Sequence, residues 1–116
     1  MVYKNKQRQI RDFVVISLIK GRIRPGDTFF EKKFFTSKFK VNPSYVEEVF
    51  HDLEKEDIII NNGESYLVSA SNQKIAWLRD EFLHEYINDF VKNLADINVS
   101  LDEAIDILSQ RNVANG

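Results

Sequence analysis

Residues 41–56 read VNPSYVEEVFHDLEKE. Val46, Val49, Phe50 and Leu53 fall at i, i+3, i+4 and i+7, which puts them on one stripe of a helix. Asn42 followed by Pro43 supplies the start. Asparagine suits an N-cap, and proline suits the first helical position, where its missing N–H costs nothing. The stripe faces a core and leaves Ser44, Tyr45, Glu47, Glu48 and His51 toward solvent or a ligand. What this helix does depends on its neighbours and on the two carboxylates it turns outward.

Upstream, Ile10, Phe13, Val14 and Leu18 recur at helical spacing with Gly21 as a stop, which predicts a first helix from about Lys6 to Lys20. GRIRPGDTF then reads as a short extended piece with a turn at Pro25-Gly26. A second helix is expected over Glu31–Phe39, with Phe35 and Phe39 one turn apart on its buried side. Downstream, DIIINNGESYLV places two β-prone runs around Asn62-Gly63, a hairpin signal. Helix, short strand, helix, tight connection, helix, hairpin is the order of a winged helix-turn-helix. The fold class is therefore α+β, mainly α.

The rest of the chain has another character. No Pro or Gly interrupts Asn72–Ile97, and Ile75, Leu78, Phe82, Tyr86, Phe90, Val91 and Leu94 mark one side. Such a helix is ~40 Å long, longer than a small winged helix can cover. Ser100-Leu101-Asp102-Glu103 is a capping-box pattern that opens a last helix, with Leu101, Ala104, Ile105 and Leu108 on one face. Residues 1–70 are expected to form the winged helix and 71–116 a two-helix arm that pairs two copies of the chain. Leu78, Phe82, Tyr86, Phe90 and Leu94 are its candidate contacts. An intramolecular cover over the winged helix is the competing use of the same face.

Composition narrows the possibilities. The 116 residues contain no Cys, which rules out disulfides and thiolate metal sites. No run approaches the ~20 apolar residues of a membrane span, and the beginning, MVYKNKQRQ, lacks a signal peptide's apolar stretch, so a cytoplasmic protein is expected. A net charge of −2 conceals a gradient: residues 1–40 hold eleven Lys and Arg against three Asp and Glu. Such an asymmetry points to an anionic partner, although solvated lysines alone would give the same count. No catalytic triad, phosphate-cradling glycine loop or dinucleotide fingerprint is present, so no enzyme and no cofactor are expected. Glu81, His84 and Glu85 share a helix side at a spacing a metal could bridge, but the ordinary reading is a solvated face, and no metal is assigned.

The run from Gly21 to Val68 resembles the DNA-binding domain of the GntR superfamily of bacterial transcription regulators. The turn G-x-(I/L)-x-P-G-D stands as Gly21 to Asp27, followed by Phe29, and the positions of LPSxRxLA are filled by Phe29 to Thr36. Val41-Asn42-Pro43 and the terminal SLDEAIDIL are similar to the YtrA-type subfamily in particular. The resemblance implies a homodimeric repressor on an inverted-repeat operator, often of an ABC-transporter operon. Each recognition helix would lie in a major groove and each wing beside a minor groove. By position, the implied DNA contacts are Lys32, Lys33, Lys38, Asn42, Ser44, Tyr45, Glu48, Asn62 and Gly63.

Several of these depart from the family pattern. Lys33 replaces an arginine and so keeps the charge without the bidentate geometry. Phe30 and Glu31 replace proline and serine, Tyr45 a threonine, and Glu48 an arginine. The wing, Asn61-Asn62-Gly63-Glu64, carries no positive charge. Because phosphate neutralisation supplies much of protein–DNA affinity, compensation is expected from Lys32, Lys33, Lys38 and Lys40, from Lys4, Lys6, Arg8 and Arg11, and from Arg22 and Arg24. The competing function is a winged-helix dimer that has lost DNA and binds protein, which Tyr45, Phe30 and Phe34 would favour if exposed together. The short arm leaves little room for an effector pocket of ~300 Å³ within one chain. A site between two chains, near Trp77, Tyr86 and Phe90, is the alternative, although these aromatics equally suit an interface core.

Overall fold

The computed structural model describes residues 5–115, with side chains as far as Arg111. The first helix, α1 (Lys6–Ile19), is capped by Asn5, whose side chain accepts from the Arg8 N–H at 2.8 Å. It ends at Lys20, and Gly21 turns the chain away at φ 73°. Next come α2 (Lys32–Phe39) and α3 (Pro43–Lys55). Asn42 occupies the N-cap of α3 as expected, but its side chain makes no capping hydrogen bond. The expectation holds for the position and fails for the bond.

β1 (Ile59–Asn61) and β2 (Tyr66–Val68) pair antiparallel, Ile60 opposite Leu67. The turn sits one residue later than the sequence suggests. Asn62 pairs back, its N–H donating to the Ser65 carbonyl at 3.0 Å, so Gly63 and Glu64 form the tip. Gly63 leads that tip at φ 100°, which L side chains rarely adopt. Asn62 Oδ1 accepts from the N–H groups of Glu64 and Ser65 and closes the turn. The GRIRPGDTF segment lies along the other edge of β2: Gly26 donates to Val68 O (2.7 Å) and Phe29 to Tyr66 O (2.7 Å). It is extended there, as expected, but bridges only at Thr28–Leu67 and is no strand of its own.

The core is built by stripe matching. Ile10, Val14, Val15 and Leu18 of α1 meet Phe35 of α2 and Val46, Val49, Phe50 and Leu53 of α3, with Ile58, Ile59 and Val68 closing the hairpin side. Phe35 is fully buried and lies within ring contact of Phe13, Phe29, Phe30, Phe34, Phe39 and Phe50. Aromatic pairs contribute ~0.5–1.5 kcal/mol each beyond their buried area. The aromatic cluster around Phe35 thus joins α1, α2 and α3, beside an aliphatic core of Ile, Val and Leu.

The helix α4 (Asn72–Asp96) begins with Ser71 Oγ accepting from the Lys74 N–H at 3.0 Å. The helix α5 (Leu101–Asn115) begins with Ser100 Oγ accepting from Glu103 N–H at 3.1 Å, so the serine half of the capping box forms. Chain contacts divide the molecule within α4, into a unit reaching Arg79 and a second beginning at Asp80.

Candidate nucleic-acid interface

Helical geometry sorts the outward residues of α3. At ~100° per residue, Ser44, Glu48, His51 and Lys55 line up at i, i+4, i+7 and i+11, opposite the buried stripe, and all four are exposed. Glu47 is turned to one side, where Lys32 Nζ of α2 lies 3.4 Å from its carboxylate. Tyr45 is turned to the other, where its hydroxyl accepts the Gln7 backbone N–H at 2.8 Å. The sequence reading singled out Ser44, Tyr45 and Glu48 and left His51 and Lys55 out of its contacts. Helical spacing already turns His51 outward with them, and the same rule continued one more turn adds Lys55.

Tyr45 is thus a structural tie as well as a surface residue, since it fastens the first turn of α3 to the first turn of α1. A second tie joins α1 to the far end of α3. Arg11 donates twice to Glu56, Nε to Oε2 at 2.9 Å and Nη2 to Oε1 at 2.7 Å. This hydrogen bonding, with the guanidinium charge, holds the Glu56 carboxyl below its ordinary value despite partial burial. Arg8 pairs with Asp12, which is buried beneath it, at 3.0 Å.

These pairs correct the estimate of available charge. Of the N-terminal basic residues, Lys4 lies outside the described residues, and Arg8 and Arg11 are engaged with Asp12 and Glu56. Lys6, Lys33, Lys38 and Lys40 are exposed, as are Arg22 and Arg24. Lys32 is shared between Glu47 and the Tyr66 ring, 6.0 Å away. Lys38 extends over the Phe13 ring at 5.0 Å. Asn42, Asn62 and Gly63 are exposed, the last two at the wing.

The aromatic patch weighed for protein binding does not come together as one surface. Phe30 and Phe34 stack at 4.8 Å and pack on Phe13, and Phe34 is the one with substantial exposure, 39%. Among the described residues, Tyr45 makes no ring contact with either. Two open hollows lie on the first unit. One, of about 400 Å³, lies between the wing and α2, beside Phe30, Lys32 and Tyr66. The other, of about 520 Å³, lies between Leu18, Ile23 and Ile75. Among the described residues, no group of three His, Asp or Glu is placed to hold a metal ion, so Glu81, His84 and Glu85 do not form one. Nor is any described helix long and apolar enough to cross a membrane.

Along α4 the candidate pairing residues separate, Leu78 falling in the first unit and the others in the second. Leu78 and Phe82 are already buried in the single chain, at 0% and 6% exposure. Tyr86 and Phe90 are exposed and Leu94 is half-buried. The exposed stripe runs Leu83, Tyr86, Ile87, Phe90, Val91, and so includes two residues, Leu83 and Ile87, that the sequence reading passed over.

The same arrangement of elements occurs in known structures. A GntR family transcriptional regulator from Listeria monocytogenes superposes with a TM-score of 0.79 at 17% identity, covering 95% of this chain and 97% of that one. The fold is the winged helix that this regulator has. YtrA from Sulfolobus acidocaldarius, a GntR-family transcription factor, gives a TM-score of 0.54 at 23% identity, over 98% of this chain and 92% of that one. In sequence, the chain is 21% identical over 99 residues to the uncharacterized HTH-type transcriptional regulator YhcF of Bacillus subtilis (strain 168), covering 84% of this chain and 82% of that protein. No family model matches.

Proposed function

We propose that this chain is a GntR-type transcriptional regulator of the YtrA kind, a homodimeric repressor that binds duplex DNA at an inverted-repeat operator. The observation that carries the reading is the exposed row Ser44, Glu48, His51 and Lys55 on α3, flanked by the exposed lysines of α2 and its C-cap. α3 enters the major groove with its N-terminal turns at the base edges. Lys33, Lys38 and Lys40 meet the phosphates, with Lys32, Asn42, Asn62 and Gly63 as flanking contacts. The similarity in fold and sequence to described transcriptional regulators supports this reading, which assigns the chain no catalytic activity, no cofactor and a cytoplasmic place.

The exposed stripe on α4 joins two copies, through Tyr86, Phe90 and Leu94 together with Leu83 and Ile87. Leu78 and Phe82 support this helix from within each chain. Pairing places two recognition helices about one helical turn of DNA apart. A transporter operon is the proposed target, by the resemblance to the YtrA kind.

The test is fluorescence anisotropy of the full-length protein with its own upstream DNA against a scrambled duplex, across a salt series. Selective binding that weakens steeply with salt is the expected result, each phosphate contact adding about −0.9 to the logarithmic slope. Binding to no duplex at low salt would overturn the proposal and favour the protein-interaction reading.

A further inference from the structure

We infer that Glu48 is a specificity-determining residue that selects a cytosine in each half-site. The inference rests on the DNA-binding reading above. The two neighbouring carboxylates of α3 have different surroundings. Glu47 is drawn aside by Lys32, 3.4 Å away, which screens its charge. Glu48 is exposed, without an ion-pair partner among the described residues, and stands in the row opposite the core. It lies in the half of the helix that would enter the groove, one turn beyond Ser44. The Tyr45 hydroxyl beside it is already bonded to the backbone of α1.

The chemistry of an ionised carboxylate then decides what Glu48 can meet, because it accepts hydrogen bonds and donates none. In the major groove guanine presents O6 and N7 and thymine presents O4, all acceptors that would repel it. Adenine offers its N6 amino group beside the N7 acceptor, whereas cytosine offers the N4 amino group alone. Glu48 therefore meets an attractive edge at cytosine and a repulsive or mixed one elsewhere. A wrong base also leaves a desolvated charge unpaired, so this residue discriminates by penalty as much as by attraction.

The test is selection from randomised duplexes by the full-length wild-type protein, Glu48→Gln and Glu48→Ala. Thermal melts confirm folding, since an exposed site should tolerate both changes. Wild type should fix a cytosine at one position per half-site, and replacing that base should weaken binding on the order of tenfold. Glu48→Gln should move the preference to adenine, because an amide can accept from N6 and donate to N7 together. Glu48→Ala should lose preference at that position alone. If all three proteins select the same base there, Glu48 is not the reader although DNA binding stands. If wild type selects no duplex, the DNA-binding reading fails and this inference with it.

Discussion

The two units of this chain solve the problem of apolar surface in opposite ways. In the unit reaching Arg79, the stripes of three helices and a hairpin close on one another, and Phe35, Phe50 and Leu53 are essentially inaccessible. From Asp80 onward, Leu83, Tyr86, Ile87, Phe90 and Val91 of α4 and Leu101, Ile105 and Leu108 of α5 remain 41–51% exposed. Apolar patches of this kind are rare on monomers and mark interaction sites. Most of the apolar surface of the first unit is covered within one chain, with Ile60 and Trp77 left exposed, whereas the stripes of the second unit stay open, which is what the proposed pairing of two chains would cover.

The largest effect expected is in the first unit. Phe35→Ala removes the ring at the centre of the aromatic cluster and should cost about 3–5 kcal/mol. That is a large part of the ~5–15 kcal/mol a domain possesses. Urea denaturation followed by circular dichroism should show a strongly lowered midpoint or no folded baseline. Phe90→Glu probes the other side of the contrast. It should raise the dissociation constant of the dimer by about a hundredfold or more, because it buries a charge at the centre of the pairing stripe. Sedimentation equilibrium would read this change. Dispersed amide spectra of residues 6–70 should persist, and loss of the winged helix alongside the dimer would erase the distinction between the units.

Smaller effects sharpen the account of how α3 is held. Arg11→Ala should destabilise by about 1 kcal/mol, a modest figure because Glu56 is about a third exposed and water screens the pair. The folded-state pKa of Glu56 is depressed from 4.5, so its contribution is fully present above that value and is lost as pH falls through the lower folded value. Glu56→Gln should flatten the acid limb of a stability-against-pH curve below about 4.5. The smallest effect lies at the C-cap of α2, where Lys40 holds φ 56°. Lys40→Gly should stabilise by about 0.5 kcal/mol, relief of the left-handed conformation being partly offset by a freer unfolded chain. The same change should weaken DNA binding by one phosphate contact.

Local rules carried the fold a long way. Periodicity and local signals located α1 and α2 within a residue at each end and the start of α3 at Pro43, because Gly21 and Pro43 act on their immediate neighbours. The hairpin was legible, but its turn shifted by one residue because Asn62 uses its side chain to close the loop around Gly63. What was not legible depends on contacts distant in sequence. Nothing in the spacing reveals that Tyr45 reaches Gln7, or that Arg11 reaches Glu56 across 45 residues. Those contacts changed the candidate site most, since one engages Arg11 with Glu56 and the other ties Tyr45 to the backbone of α1. On α4, spacing alone offers no reason to prefer Leu83 and Ile87 over Leu78 and Phe82, because choosing between adjoining stripes requires knowing which one the chain itself covers.

The most direct test of the central claim, a self-sufficient DNA reader joined to a pairing arm, is sedimentation velocity of the full-length protein alone and with its selected duplex. The account predicts a dimer in both cases, with two chains on each duplex. A monomer that stays monomeric on DNA, or a dimer that ignores every duplex offered, would contradict it.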